Sequence, residues 1–307
     1  MPLFENAFGN SARAINDLGQ VTGSSTVTTT TTRAYLYSAG TLTNLGTLND
    51  DNTSTGRSIN KFGHVAGFAG VLSAANGFLY NGSSLTDIGS LIGHSVIVQG
   101  MNDSDTIVGF DEVVNYHPRA FLYKNGSMTD ISDGHDYSIA SAVNNAGTVV
   151  GYFGDGGYLV GSFYYDNGTY TLFGNTNGQV GTRAYDINNN GWITGETDYN
   201  KRRRAFLYHD GTMQTLGGLG DVSQGNAIND SGVIVGTYLL AGNEGAVDAR
   251  AFVWIDGTMY NLNDLMDSSG AGYTIQQGRD INNSGVIVGD AVDSNGVTRG
   301  VILTPNP

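Results

Sequence analysis

Short apolar runs alternate with clusters of Gly, Asn, Asp and Ser along the whole chain, and none is long enough for a membrane helix. Ala34-Tyr35-Leu36-Tyr37, Ala205-Phe206-Leu207-Tyr208 and Val233-Ile234-Val235 are typical. They are rich in β-branched and aromatic residues and are flanked by turn formers. That pattern predicts many short strands joined by tight turns.

The runs fall into a repeat. The nonapeptide Ile15-Asn16-Asp17-Leu18-Gly19-Gln20-Val21-Thr22-Gly23 returns in copies centred on Asn60, Asn102, Asn144, Asn188, Asn229 and Asn282, at spacings of 44, 42, 42, 44, 41 and 53 residues. Asn holds its position in all seven copies, and so does the closing glycine (Gly23, Gly67, Gly109, Gly151, Gly195, Gly236, Gly289). The middle glycine gives way once, to Asp105. Each copy reads as a tight β-hairpin, in which Asn bonds its own backbone two residues on and Gly accepts positive φ.

A second element, Arg33-Ala34-Tyr35-Leu36-Tyr37, recurs from Asn76, Arg119, Gly161, Arg204, Arg250 and Arg299. It is apolar on both faces, as a strand between two neighbouring sheets requires. A third follows six of these copies after a glycine turn, as in Gly211-Thr212-Met213-Gln214-Thr215-Leu216.

Seven copies of a four-strand unit predict an all-β fold, a closed seven-bladed β-propeller of four-stranded antiparallel blades spanning residues 1–307 as one domain. The last copy stops at Val301-Ile302-Leu303-Thr304-Pro305, while a surplus strand-like piece, Pro2-Leu3-Phe4-Glu5-Asn6, stands at the other end. Residues 1–8 are therefore expected to complete the last blade, leaving no unfinished sheet edge. A β-solenoid, the rival repeat architecture, needs no such complementarity of the ends.

Composition narrows the class. Apolar residues at 39% and charged residues at 14% exclude a disordered chain and a coiled coil. A net charge of −14 opposes binding to a nucleic-acid backbone, and Lys201-Arg202-Arg203-Arg204 is the one strong basic run. The absence of cysteine removes disulfides, cysteine nucleophiles and thiolate metal sites. The first 25 residues carry no basic-then-apolar signal peptide. A monomer that does not insert into membranes is expected.

The Ile-Asn-x-x-Gly-x-Ile-Val-Gly and Gly-x-Met-x-x-Leu-Gly phrases resemble the HAF family of bacterial extracellular repeats along nearly the whole chain. The His of that family's His-Ala-Phe triplet is replaced here by Arg33, Asn76, Arg119, Gly161, Arg204, Arg250 or Arg299, so no role of that His carries over. The resemblance implies an exported or surface-attached bacterial protein and no particular reaction.

The strand ending at each repeated Asn is expected innermost, because its alternate positions are small (Ala12 and Ala14, Gly56 and Ser58, Ala140 and Ala142). The connections after the second and fourth strands then share the face opposite the Asn turns. They hold nearly all the length variation, in residues 24–32, 111–118, 239–249 and 263–274. Variable loops on a rigid scaffold are where binding and catalysis concentrate.

Three of five histidines map to that face. His94 and His135 precede innermost strands and are expected near the channel mouth, with His117 on the outer loop between them. With Tyr116, Tyr137 and Arg119 they form the candidate catalytic set: a His, a Tyr and an Arg can remove a proton beside a uronate carboxylate and neutralise that carboxylate. Alternatively, His94, His135 and an acid can bind a divalent metal.

Tyr199, Lys201, Arg202, Arg203 and Tyr273 are the candidate ligand-binding residues, two rings to stack on a sugar and a basic run to meet an anion. No cofactor is expected. Asp186-Ile187-Asn188-Asn189-Asn190-Gly191 and Asp280-Ile281-Asn282-Asn283-Ser284-Gly285 resemble the opening of a calcium loop but lack its closing acid, Thr197 and Ala291 standing there. Loop residues do not repeat between blades, which points to one site or none rather than seven. The expected function is recognition of a polysaccharide or cell-surface protein, with a polysaccharide lyase or a structural spacer as alternatives.

Overall fold

The structure, a computed structural model, describes residues 9–113, 117–155, 158–174, 181–200, 202–220, 222–240 and 249–306. These residues form seven antiparallel sheets, each built from strands in chain order. Blades 1 to 6 (residues 9–46, 54–87, 95–130, 137–173, 182–215 and 222–261) have four strands, and blade 7 (273–303) has three among the described residues. Residues 1–8, expected to complete blade 7, lie outside the described residues. The chain is a seven-bladed β-propeller, and no helix among the described residues is long and apolar enough to cross a membrane.

The strand before each repeated Asn is innermost, as predicted, and the Asn explains how the ring holds. Asn16, Asn102, Asn144, Asn188, Asn229 and Asn282 each donate Nδ2 to the backbone carbonyl of the next blade's Asn, at 2.8 to 3.2 Å. The last of these runs from blade 7 to blade 1 and closes the circle. Asn60 is the exception: its Nδ2 turns to Asp105 Oδ1 at 2.7 Å, where the middle glycine is missing, and His64 Nδ1 shares that carboxylate at 3.0 Å. His64 and Asp105 thus repair one irregular turn.

Every inner strand carries a β-bulge at the third residue before its Asn: Arg13, Arg57, Gln99, Ser141, Tyr185, Asn226 and Arg279. A bulge sets two residues against one and re-aims the side chains around it. Ala12 consequently packs between blades 7 and 1 while Ala14 packs between blades 1 and 2. Ala140 and Ala142 divide in the same way about blade 4. Seven apolar clusters result, one at each interface between neighbouring blades.

The bulge also explains the closing glycine. At Gly151 an added Cβ would sit 2.0 Å from Ile139 O and 2.7 Å from the Phe163 ring, and equivalent backbone approaches of 1.9 to 2.1 Å recur at the other six. Close approach fixes this column, whereas the middle glycine (Gly147, φ +91°) is fixed by its positive φ.

Candidate ligand site in the central channel

The bulge residues share one direction, inward. Arg13, Arg57, Gln99, Ser141, Tyr185, Asn226 and Arg279, with Ile139, Tyr152 and Gln224, line a channel cavity of about 320 Å³. A smaller cavity of about 200 Å³, walled by the Asn turns, occupies the opposite mouth. The larger cavity falls at the low end of the ~300–1,000 Å³ range of small-molecule sites.

Its wall has two chemically different sides. On blades 7, 1 and 2, Arg279 donates Nε and Nη2 to Asp290 Oδ2 at 2.9 and 2.7 Å, and Asp290 Oδ1 accepts from Ser11 Oγ at 2.9 Å. Arg57 donates to Val98 O at 3.3 Å and to Gln99 Oε1. Burial, then the like charges of Arg13 and Arg279, lower the Arg57 guanidinium to about 9. It therefore stays cationic at neutral pH.

On blades 4 and 5 the wall is aromatic. The Tyr152 ring centroid lies 6.2 Å from that of Tyr137 and 6.2 Å, edge-on, from that of Tyr185. Burial raises Tyr152 and Tyr185 well above the ordinary phenol, so both are neutral donors. Behind them Glu196, 1% exposed, accepts from Arg183 Nη1 and has Arg203 Nη1 at 3.5 Å.

The structure distributes the sequence-predicted residues differently from their expected set. Tyr137 does not line the channel cavity, but its ring lies 6.2 Å from that of Tyr152, which does. His135, expected at the channel mouth, instead lies in the joint between blades 3 and 4. Its ring stacks on Phe153 at 4.2 Å and lies 5.8 Å from Tyr170 on the outermost strand, while Nδ1 is 2.9 Å from Asp155 Oδ2. The ring thus sits by the outermost strand of blade 4, away from the axis.

His117 begins the third strand of blade 3 rather than sitting on a loop, its Nδ1 3.1 Å from Asp136 O. His94 is exposed on the 88–94 turn, which Asp111 Oδ2 anchors through Ser90 Oγ and the Leu91 N–H at 2.6 and 2.7 Å. Arg119 pairs with Asp130 in its own blade at 3.1 Å. His117, His135 and Arg119 thus engage three different groups, Asp136 O, Asp155 and Asp130. Tyr116 lies outside the described residues.

The ligand-binding candidates also separate. Tyr199 and Arg203 belong to blade 5 and Tyr273 to blade 7. Tyr199 and Tyr273 are exposed, Arg203 joins Glu196, and Arg202 begins the same strand as Arg203. Lys201 lies outside the described residues. Residues 24–32, read as a loop, are mostly an extended hairpin, Val21–Thr28 with Thr31–Ser38.

In both Asp-x-Asn stretches the opening carboxylate is turned to a backbone donor. Asp186 Oδ2 accepts the Ile228 N–H and Asp280 Oδ2 the Ile15 N–H, both at 2.8 Å, so these carboxylates serve the neighbouring blade. Among the described residues no group of three or more His, Asp or Glu is placed to hold a metal ion.

The channel site was missed because its column does not repeat. Aligning the seven copies exposes it: three residues before each Asn stands a polar residue that changes from blade to blade, and it is Arg in three of seven.

No protein-family model matches the chain, and no curated protein sequence does. Among solved structures it is similar to the β-propeller domain of the trilobed protease from Pyrococcus furiosus, with a TM-score of 0.64 and 10% identity over 97% of this chain and 93% of that one. It is also similar to the Pyrococcus horikoshii acylaminoacyl peptidase, with a TM-score of 0.62 and 10% identity over 97% of this chain and 51% of that one. A third match is a puromycin-hydrolysing peptidase of Mycobacterium tuberculosis, with a TM-score of 0.59 and 10% identity over 97% of this chain and 53% of that one. The chain spans about half the length of these two peptidases, and at such identities the likeness is one of fold.

Proposed function

We propose that this propeller is an extracellular recognition module that takes a single saccharide in its central channel. The observation that carries the reading is the break in seven-fold symmetry at the bulge column. Asn, Gly and core positions repeat around the ring, yet the bulge side chains aimed into the cavity are of five kinds over seven blades, with the three arginines on consecutive ones. A scaffold that needs only closure has no use for that variety, and a seven-site lectin would repeat its pocket.

The wall has what a sugar requires: aromatic faces at Tyr152 and Tyr185 and amide donors and acceptors at Gln99, Gln224 and Asn226. The resemblance of the repeats to HAF proteins supports a place outside the cell. The test is electrophoresis through gels containing neutral and uronate-bearing polysaccharides, with a parallel assay for newly formed unsaturated ends. Retardation by one polysaccharide class, lost in Tyr152→Ala without product release, is the expected result. Retardation unchanged in Tyr152→Ala would remove the channel from the reading, and unsaturated ends would make the protein a lyase.

A further inference from the structure

Blades 7, 1 and 2 are consecutive around the ring, and each places an arginine in the bulge column: Arg279, Arg13 and Arg57. Three guanidinium groups side by side in a channel repel one another unless counter-charge is supplied. The carboxylate bonded to the trio is Asp290, committed to Arg279 through both Nε and Nη2 and to Ser11. Asp280 accepts from the backbone N–H groups of Ile15 and Ile281.

Arg57 is held by two neutral oxygens, Val98 O and Gln99 Oε1. Arg13 Nε is buried with no hydrogen-bond partner. Burial, and after it Arg279, lowers the Arg13 guanidinium from its ordinary value. A buried donor left unmade on a charged group is costly, and native structures retain one where something else supplies the acceptor.

Ring closure does not explain this arrangement. The other four blades fill the same column with the neutral side chains of Gln99, Ser141, Tyr185 and Asn226. Nor does composition, since the chain carries a net charge of −14. Cations have been gathered, against the protein's overall charge, onto one wall of a cavity whose facing wall is aromatic.

We infer that the channel binds an oxyanion, the carboxylate or sulfate ester of an acidic saccharide, between Arg13 and Arg57, with Arg279 held beside them by Asp290. The inference rests on the recognition reading above and names its ligand class. Guanidinium forks suit such oxyanions because two parallel N–H donors meet two oxygens. The sugar ring then faces Tyr152 and Tyr185 across the cavity.

The experiment is calorimetric titration of the whole chain and of Arg13→Gln and Arg13→Lys with sodium glucuronate, sodium sulfate and glucose, with thermal unfolding of each unliganded protein. Wild type is expected to bind at least one of the two anions. Arg13→Gln should weaken that binding at least about tenfold, the worth of one charge-assisted hydrogen bond, with Arg13→Lys between them. Unliganded Arg13→Gln should melt no lower than wild type, because a repelling charge has been removed.

Preference for glucuronate identifies a carboxylate, and preference for sulfate a sulfate ester. The inference is overturned if neither anion binds wild type, if wild type and Arg13→Gln bind the anions alike, or if unliganded Arg13→Gln melts clearly lower than wild type. Glucose bound equally by wild type and variants, without the anions, would leave the recognition reading standing and remove the oxyanion from it.

Discussion

Replacing Asn188 tests the hydrogen-bonded circle at one link. Its side chain, 4% exposed, donates Nδ2 to Asn229 O at 2.9 Å and accepts from the Asn190 and Trp192 N–H groups at 3.0 and 2.9 Å. At about 1 kcal/mol net for each bond, Asn188→Ala should cost about 3 kcal/mol. With about 2.1 cal/mol/K of unfolding entropy per residue over 307 residues, that lowers the melting temperature by about 5 °C. Asn188→Asp separates the blade-to-blade donor from the turn. It keeps both acceptor contacts but sets a carboxylate oxygen against the Asn229 carbonyl, so at neutral pH it should be at least as damaging as alanine. The neighbouring Asn189 also bridges blades, accepting the Asn145 N–H and donating to Asp230 Oδ2, both at 3.0 Å, but it is exposed, so water replaces those partners and conversion to Ala should cost less than Asn188→Ala. Calorimetry or urea unfolding reads all three. Asn188→Asp as stable as wild type at pH 7 would refute the claim that these donors tie the blades together.

The two glycine columns should respond differently. Gly151→Ala forces a Cβ to 2.0 Å from Ile139 O and should cost about 3 kcal/mol or more by urea denaturation, while Gly147→Ala, with open space but positive φ, should cost about 1–2 kcal/mol. Equal costs would mean that the bulge yields to the extra carbon. The Asp186 carboxyl is raised to about 8, by burial first and then by Asp280. The fold therefore favours its neutral form: its contribution to stability is complete near pH 4 and is lost as pH rises through about 8. Asp186→Asn, whose Oδ1 can still accept the Ile228 N–H, should match wild type near pH 4 and exceed it at pH 8 to 9 by more than about 1 kcal/mol in thermal scans, one pH unit of displacement being worth about 1.4 kcal/mol. An advantage constant across pH would remove ionisation as its cause.

The architecture was legible because the constraints that build it recur. Asn16 and five of its six counterparts meet the same demand, a donor for the next blade's carbonyl, and Gly23 and its counterparts the same backbone approach. Repetition turned each demand into a column of identical letters. The reason for the closing glycine was not legible, since a bulge leaves no mark in the alternation of apolar and polar residues. Strict alternation puts Ala12 and Ala14 on one face with Arg13 opposite. The bulge sends the alanines to two different cores and the arginine into the channel. His135 illustrates the complementary error. Its position before an inner strand suggested the axis, but the Phe153 ring and the Asp155 carboxylate hold it between blades, a contact that depends on the path of six connecting residues.

The opposition between the chain's overall charge and its channel bears on which anion the site can take. A net charge of −14 spread over the surface repels a polyanion at every approach, though beyond a Debye length of about 8 Å at physiological ionic strength that repulsion is largely screened. Arg13 and Arg57 act inside that distance, on a group already within the channel wall. A nucleic-acid duplex cannot enter a cavity of about 320 Å³, so it meets the repelling surface and never the arginines. A single acidic sugar, or the end of a chain of them, carries little charge through the screened region and then meets the Arg13 and Arg57 guanidinium groups. Size and charge therefore select together, and the acidity that argues against nucleic acid is what makes a locally cationic channel selective for a small anion.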